Sequence, residues 1–155
     1  MAKVNANEVA DYLLHFSSGC GDSLTNLKLQ KLLYYAQGWH LALIDEPLFD
    51  EPIQAWVHGP AVRAVYNRFK GYGNNSIPCP SVEPALPDEV KAHLKDVLNA
   101  YGHLSAWQLE RLTHEEEPWV NARAGLPDDQ PSQAEISVDD MKRFFKHKLD
   151  EQEPR

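Results

Sequence analysis

Residues 24–43, LTNLKLQKLLYYAQGWHLAL, constrain the fold more than any other stretch of this chain. Leu29, Leu32, Leu33, Ala36, His40 and Leu43 recur at the intervals of an α-helix. Leu27, Tyr34, Tyr35 and Trp39 widen that stripe around much of the circumference. A helix apolar on so many sides needs several other elements packed around it. The run therefore predicts the central strut of a mainly helical domain, with Thr25 placed as its N-cap. Gly38 lies mid-helix, where glycine costs about 1 kcal/mol relative to alanine. Its presence there predicts close approach by a neighbouring element.

The rest of the chain supplies those neighbours. Asn5 and Glu8 form a capping-box pattern ahead of a helix over about residues 6–17, with Val9, Leu13 and Phe16 on one face. Residues 53–58, IQAWVH, alternate with the period of a strand: Ile53, Ala55 and Val57 inward, Gln54, Trp56 and His58 outward. Gly59-Pro60 is expected to turn that strand straight into a helix ending near Lys70, with Pro60 in its first turn and Val62, Val65, Tyr66 and Phe69 buried. Residues 71–87 read as a long loop. A fourth helix follows from Pro87 or Asp88, burying Val90, Leu94, Val97, Leu98 and Tyr101. A fifth, short helix is capped by Ser105 and Gln108 and ends near His114. After a loop at 125–135, a last helix opens at Ser137 and Asp140 and packs Met141, Phe144, Phe145 and Leu149. The expectation is mainly α with a minor β ribbon: about six helices in one domain over residues 1–150, then a frayed acidic tail at 151–155.

Charge and cysteine usage exclude several classes. Residues 1–80 carry 6 Lys/Arg against 7 Asp/Glu, and 81–155 carry 9 against 16, so the C-terminal half is acidic. An acidic chain with no basic helix face is poorly suited to nucleic acid, which demands phosphate neutralisation. Cys20 and Cys79 are isolated, with no CxxC pair, which fits a reducing cytoplasm rather than a disulfide or zinc framework. The first residues lack the apolar core of a secretory leader, and no stretch approaches the ~18 apolar residues of a membrane span. The seven histidines show no HExxH and no i, i+4 pairing, so neither metal nor other cofactor is expected. There is no GxSxG, and GYGNN at 71–75 lacks the lysine of a phosphate loop.

Two short segments resist a purely structural reading. Trp56, His58, Gly59, Pro60 and Arg63 crowd one turn, and Thr113, His114, Glu117 and Trp119 crowd another. Trp and Arg are favoured contact residues in protein interfaces. The structural alternative is that Trp56 and Trp119 are core, with His and Thr satisfying buried backbone groups. Because a buried, unpartnered polar group costs about 1–3 kcal/mol, the two turns are expected to lie together and bond one another. Arg63, between Val62 and Val65, is expected to be exposed. A hydrolytic use of the His114/Glu117 turn is the alternative from another functional class.

At these residues the chain resembles the SocA-like (Panacea) domain family of prokaryotic and phage antitoxins. The resemblance rests on residues 24–43, on LFDEPIQAWVHGPAVRAVYNRFKGYG at 48–73, on LSAWQLERLTHEEEPWVNAR at 104–123 and on ISVDDMKRFF at 136–145. It departs at Ala61, where valine is commoner, and at Cys79-Pro80. What the resemblance implies is a non-enzymatic, cytoplasmic protein that neutralises an adjacently encoded toxin by direct binding. One branch of the family instead delivers its toxin to an ATP-dependent protease. The residues expected to meet the partner are Trp56, His58, Arg63, Arg68, His114, Glu117 and Trp119.

Overall fold

The computed structural model describes residues 4–152. In chain order the elements are α1 (Ala6–Gly19), α2 (Asn26–Ile44), β1 (Gln54–Trp56), β2 (Gly59–Ala61), α3 (Arg63–Phe69), α4 (Asp88–Tyr101), α5 (Ala106–His114), α6 (Glu117–Arg123) and α7 (Val138–Gln152). The architecture is mainly α, with one two-stranded antiparallel ribbon. Helix α2 is the strut around which α7, α4, α5, α1, α3 and β2 pack. Leu29, Leu32, Leu33, Tyr34, Tyr35 and Ala36 are wholly inaccessible. The caps expected from sequence are in place: Asn5 with Glu8 on α1, Thr25 on α2 and Ser105 with Gln108 on α5.

Gly38 does what its position in α2 predicts. A Cβ there would overlap the Phe145 ring of α7. Phe145 is fully buried and lies edge-on to Tyr34, Tyr35 and Trp39. Helix propensity alone would make Gly38→Ala stabilising by about 1 kcal/mol. Packing reverses the sign, so Gly38→Ala should destabilise by about 1–3 kcal/mol in urea titration. A gain in stability would show that α7 can withdraw from α2 at little cost.

Several expectations need correction. Leu43 is 53% exposed, because the last turn of α2 projects beyond the elements that wrap its middle. Tyr66 is not buried: it stands at the surface of α3, edge-on to Trp56. Pro118 does more than end a helix. It lies in the first turn of α6, where its missing N–H costs nothing, so the described residues hold seven α-helices rather than six. Helix α7 runs through Gln152; residues 153–155 of the expected tail lie outside the described residues.

Gly59 and Pro60 do not enter a helix directly. They form β2, and α3 begins only at Arg63. The register pairs Gln54 with Ala61, Ala55 with Pro60 and Trp56 with Gly59. With a two-residue turn closing on Trp56 and Gly59, the Ala55–Pro60 pair is the one that exchanges no ladder bonds, so proline is tolerated there. The outward-facing groups of that pair are used elsewhere. Ala55 N–H donates to the Ala134 carbonyl at 2.8 Å, and the Pro60 carbonyl accepts from Lys31 Nζ at 3.2 Å. Ile136 N–H likewise donates to the Ile53 carbonyl, so residues 134–136 flank β1 on its other side.

Candidate functional site

The two polar-aromatic turns do come together. Trp119, in α6, is 1% exposed, and its indole N–H donates to the Trp56 carbonyl at 2.9 Å. The His114 ring stacks on the Trp119 ring at 4.0 Å with 11° between planes, and its Nε2 is buried without a hydrogen-bond partner among the described residues. Burial holds the His114 imidazole below its usual range, against the opposing pull of Glu110 and Asp128. Arg123 lies over the same indole at 4.7 Å; its guanidinium donates to the carbonyls of Ala55, Pro127 and Gln130. The sharp turn between strands needs Gly59, whose φ is +109° and whose missing Cβ would strike the Lys31 side chain and Thr113.

The rim above this platform is accessible. Trp56 is half-buried, with its indole N–H donating to Gln54 Oε1 at 2.7 Å. Arg63 is exposed, 5.8 Å from the Trp56 ring centroid. His58 is exposed and meets both carboxylate oxygens of Glu110 at 3.3 Å. The other expected contact residues distribute differently. Glu117 is exposed at the start of α6. Trp119 lies beneath the surface and presents no face to a partner. Arg68 points to α1, pairing with Asp11 at 2.7 Å and bonding Asn7, apart from the double turn.

A buried polar layer lies behind the platform, and sequence reasoning did not single it out. Lys31, on α2, is 1% exposed. Burial pulls its ammonium down to about 7, opposed by Glu110. Glu116 is 3% exposed and accepts from the Tyr34 hydroxyl at 3.0 Å and the Tyr35 hydroxyl at 3.1 Å. Burial pushes its carboxyl up to about 7, with the two tyrosines and Lys148 pulling the other way. Gln30 accepts from the Val62 N–H, and Gln37 accepts from Leu48 and Phe49 while donating to the Phe49 carbonyl. These α2 side chains satisfy irregular backbone wrapped around the helix, which is a structural duty.

Two clefts open elsewhere. One, of about 110 Å³, lies between the end of α2 and the start of α4, beside His40, Leu43, Ile44 and His93. The other, of about 180 Å³, lies beside Phe49, Ile53 and Met141. Neither is lined by His114 or Glu117. Among the described residues no group of three or more His, Cys, Asp or Glu is arranged to hold a metal, and no helix is long and apolar enough to cross a membrane. Cys20 and Cys79 are both free and exposed.

The family model for the antitoxin SocA-like, Panacea domain matches residues 29–120, a span that runs from α2 through the hairpin and α5 into α6. The chain belongs to this family. It is also 30% identical over 123 residues to Antitoxin SocA of Caulobacter vibrioides, an alignment covering 72% of this chain and 65% of that relative, so the match spans just under two thirds of the relative's length. No solved structure matches. For this Panacea-domain chain, the matched span includes the whole rim from Trp56 to Arg63 and the α5–α6 corner that supports it.

Proposed function

We propose that this Panacea-domain protein is an antitoxin that neutralises a protein toxin by direct, stoichiometric binding in the cytoplasm, without catalysis. Family membership motivates the reading. The observation that carries it here is the rim of Trp56, His58 and Arg63, held on a platform tied by the Trp119–Trp56 bond and the His114–Trp119 stack. Aromatic and arginine side chains on a rigid support are the composition of an interaction hot spot, since little side-chain entropy is lost on binding.

Arg63→Glu tests the reading. Arg63 is exposed, so the variant should unfold within about 0.5 kcal/mol of the parent. It should nonetheless fail to rescue cells expressing the protein encoded by the adjoining gene. Full rescue at normal expression would move the interface elsewhere, to the acidic C-terminal half first.

A further inference from the structure

The rim continues beyond the hairpin onto α5. Trp107 is 66% exposed, and Arg111 lies 5.5 Å from its ring centroid. One helical turn separates these residues, and Glu110, at i+3 from Trp107, flanks the same indole. The Glu110 bond to His58 ties the α5 face to the hairpin tip, so the Arg63–Trp56 pair and the Arg111–Trp107 pair stand on two elements joined at that contact. Two exposed arginines thus lie against two accessible indoles, joined by a His–Glu bridge.

The arginines are unusual within this chain. Arg68 pairs with Asp11 and Arg143 with Asp140, and Arg123 is buried against three carbonyls. Among the described residues neither Arg63 nor Arg111 pairs with a carboxylate; Arg63 bonds only Gln54 Oε1, at 3.4 Å. This holds in a chain with 23 Asp/Glu against 15 Lys/Arg, where intramolecular acids are in surplus. An indole shields one face of a guanidinium and leaves its in-plane N–H fork free, the geometry that grips a carboxylate bidentately. Glu110, the carboxylate between the two pairs, is engaged by His58 and lies within the field of buried Lys31.

We propose, resting on the toxin-binding reading above, that this double Arg–Trp rim takes an acidic segment of the partner protein, with carboxylates on Arg63 and Arg111 and apolar side chains against Trp56 and Trp107. The net charge of -8 disfavours a nucleic-acid phosphate backbone as the anion. The indoles give a direct readout. Trp39 bonds the Tyr101 hydroxyl and Trp119 bonds the Trp56 carbonyl, so those two indole N–H signals are internal references.

The test titrates the ¹⁵N-labelled full chain with an acetylated hexapeptide alternating glutamate and leucine, with its lysine–leucine counterpart, and with an oligothymidylate. The expected result is a saturable shift of the Trp56 and Trp107 indole signals with the glutamate peptide alone. Arg63→Glu and Arg111→Glu should each weaken it about two- to fivefold, and the double variant about tenfold, in keeping with exposed ion pairs. Both variants should keep the parent's thermal midpoint. No shift with the glutamate peptide, an equal shift with the lysine peptide, or a stronger response to the oligonucleotide would overturn the assignment. The double variant is then assayed for rescue. Lost peptide binding with retained rescue would overturn the rim as the partner site and leave the antitoxin reading standing. A parent chain that binds the peptide but never rescues would overturn the antitoxin reading instead and uphold the rim's chemistry.

Discussion

Trp119→Ala should lower the free energy of unfolding by about 3–5 kcal/mol, the range for deleting a large aromatic from a packed interior. Trp119 is 1% exposed and joins three elements at once. Its N–H holds the hairpin through the Trp56 carbonyl, its ring carries His114 from α5, and Arg123 covers it from the end of α6. Truncation would leave a cavity, a Trp56 carbonyl with one donor fewer and a buried guanidinium without its ring. Trp119→Phe separates these contributions. It keeps a ring between His114 and Arg123 and removes the indole N–H, so its cost should fall to about 1–3 kcal/mol. The comparison is read from urea unfolding of both variants. Equal losses would mean that the hydrogen bond to Trp56, rather than stacking, secures the platform. A loss below about 1 kcal/mol for Trp119→Ala would mean that the corner collapses around the vacancy and that the rim does not depend on this support.

The elements legible in the sequence were those with a local or periodic signal. Helix α2 shows itself through its stripe, the caps through Asn5, Thr25 and Ser105, and the tight α2–α7 crossing through Gly38. The meeting of the two turns was also accessible, because both concentrate polar and aromatic groups that need partners. What the sequence concealed depends on tertiary direction. Lys31 and Glu116 belong to residue types that are mostly solvated, and Glu116 is the middle of three consecutive acids. Only the backbone bend between α5 and α6 turns that one carboxylate inward while Glu115 and Glu117 stay exposed. For Lys31 a signal did exist. A helix wrapped on all sides must also bury the polar residues in its sequence, so Gln30, Lys31 and Gln37 should have been sought as partners of neighbouring backbone. Pro60 misled for the opposite reason. Gly-Pro before a helical run is a familiar helix entry, and only pairing with Ala55 reveals that its missing N–H falls where the ladder needs none. Trp107 carries no local signal of exposure, because an isolated tryptophan on a short amphipathic helix reads equally well as core.

Glu116→Gln should abolish a loss of stability that the parent suffers as pH rises from about 4.5 to 7. In the folded chain the Glu116 carboxyl titrates at about 7, against an ordinary value of 4.5, chiefly because it is buried. Between those values the folded state holds a proton that the unfolded state has released. The stability this contributes is therefore fully present below about 4.5 and is lost as pH rises through about 7. At 1.36 kcal/mol per unit, the loss is about 3 kcal/mol. Glutamine has the same shape and is neutral throughout; its carbonyl can accept from one tyrosine hydroxyl while its amide donates to the other. The variant should match the parent or fall slightly below it at pH 4.5, then exceed it by up to about 3 kcal/mol at pH 8. Lys31 acts with the opposite sign in a higher window. Its folded value is about 7 against 10.5, so its contribution is present above 10.5 and is lost as pH falls through 7. Because Lys31 is common to both proteins, subtracting the two urea-derived stability curves removes it and leaves Glu116. A flat difference between pH 4.5 and 8 would mean that the two tyrosine bonds and Lys148 suffice to keep the buried carboxylate ionised. A rise that begins near 4.5 and levels off above about 7 would establish that the strut and the α5–α6 corner meet through a neutral acid, and that the platform beneath the rim weakens as that acid gives up its proton.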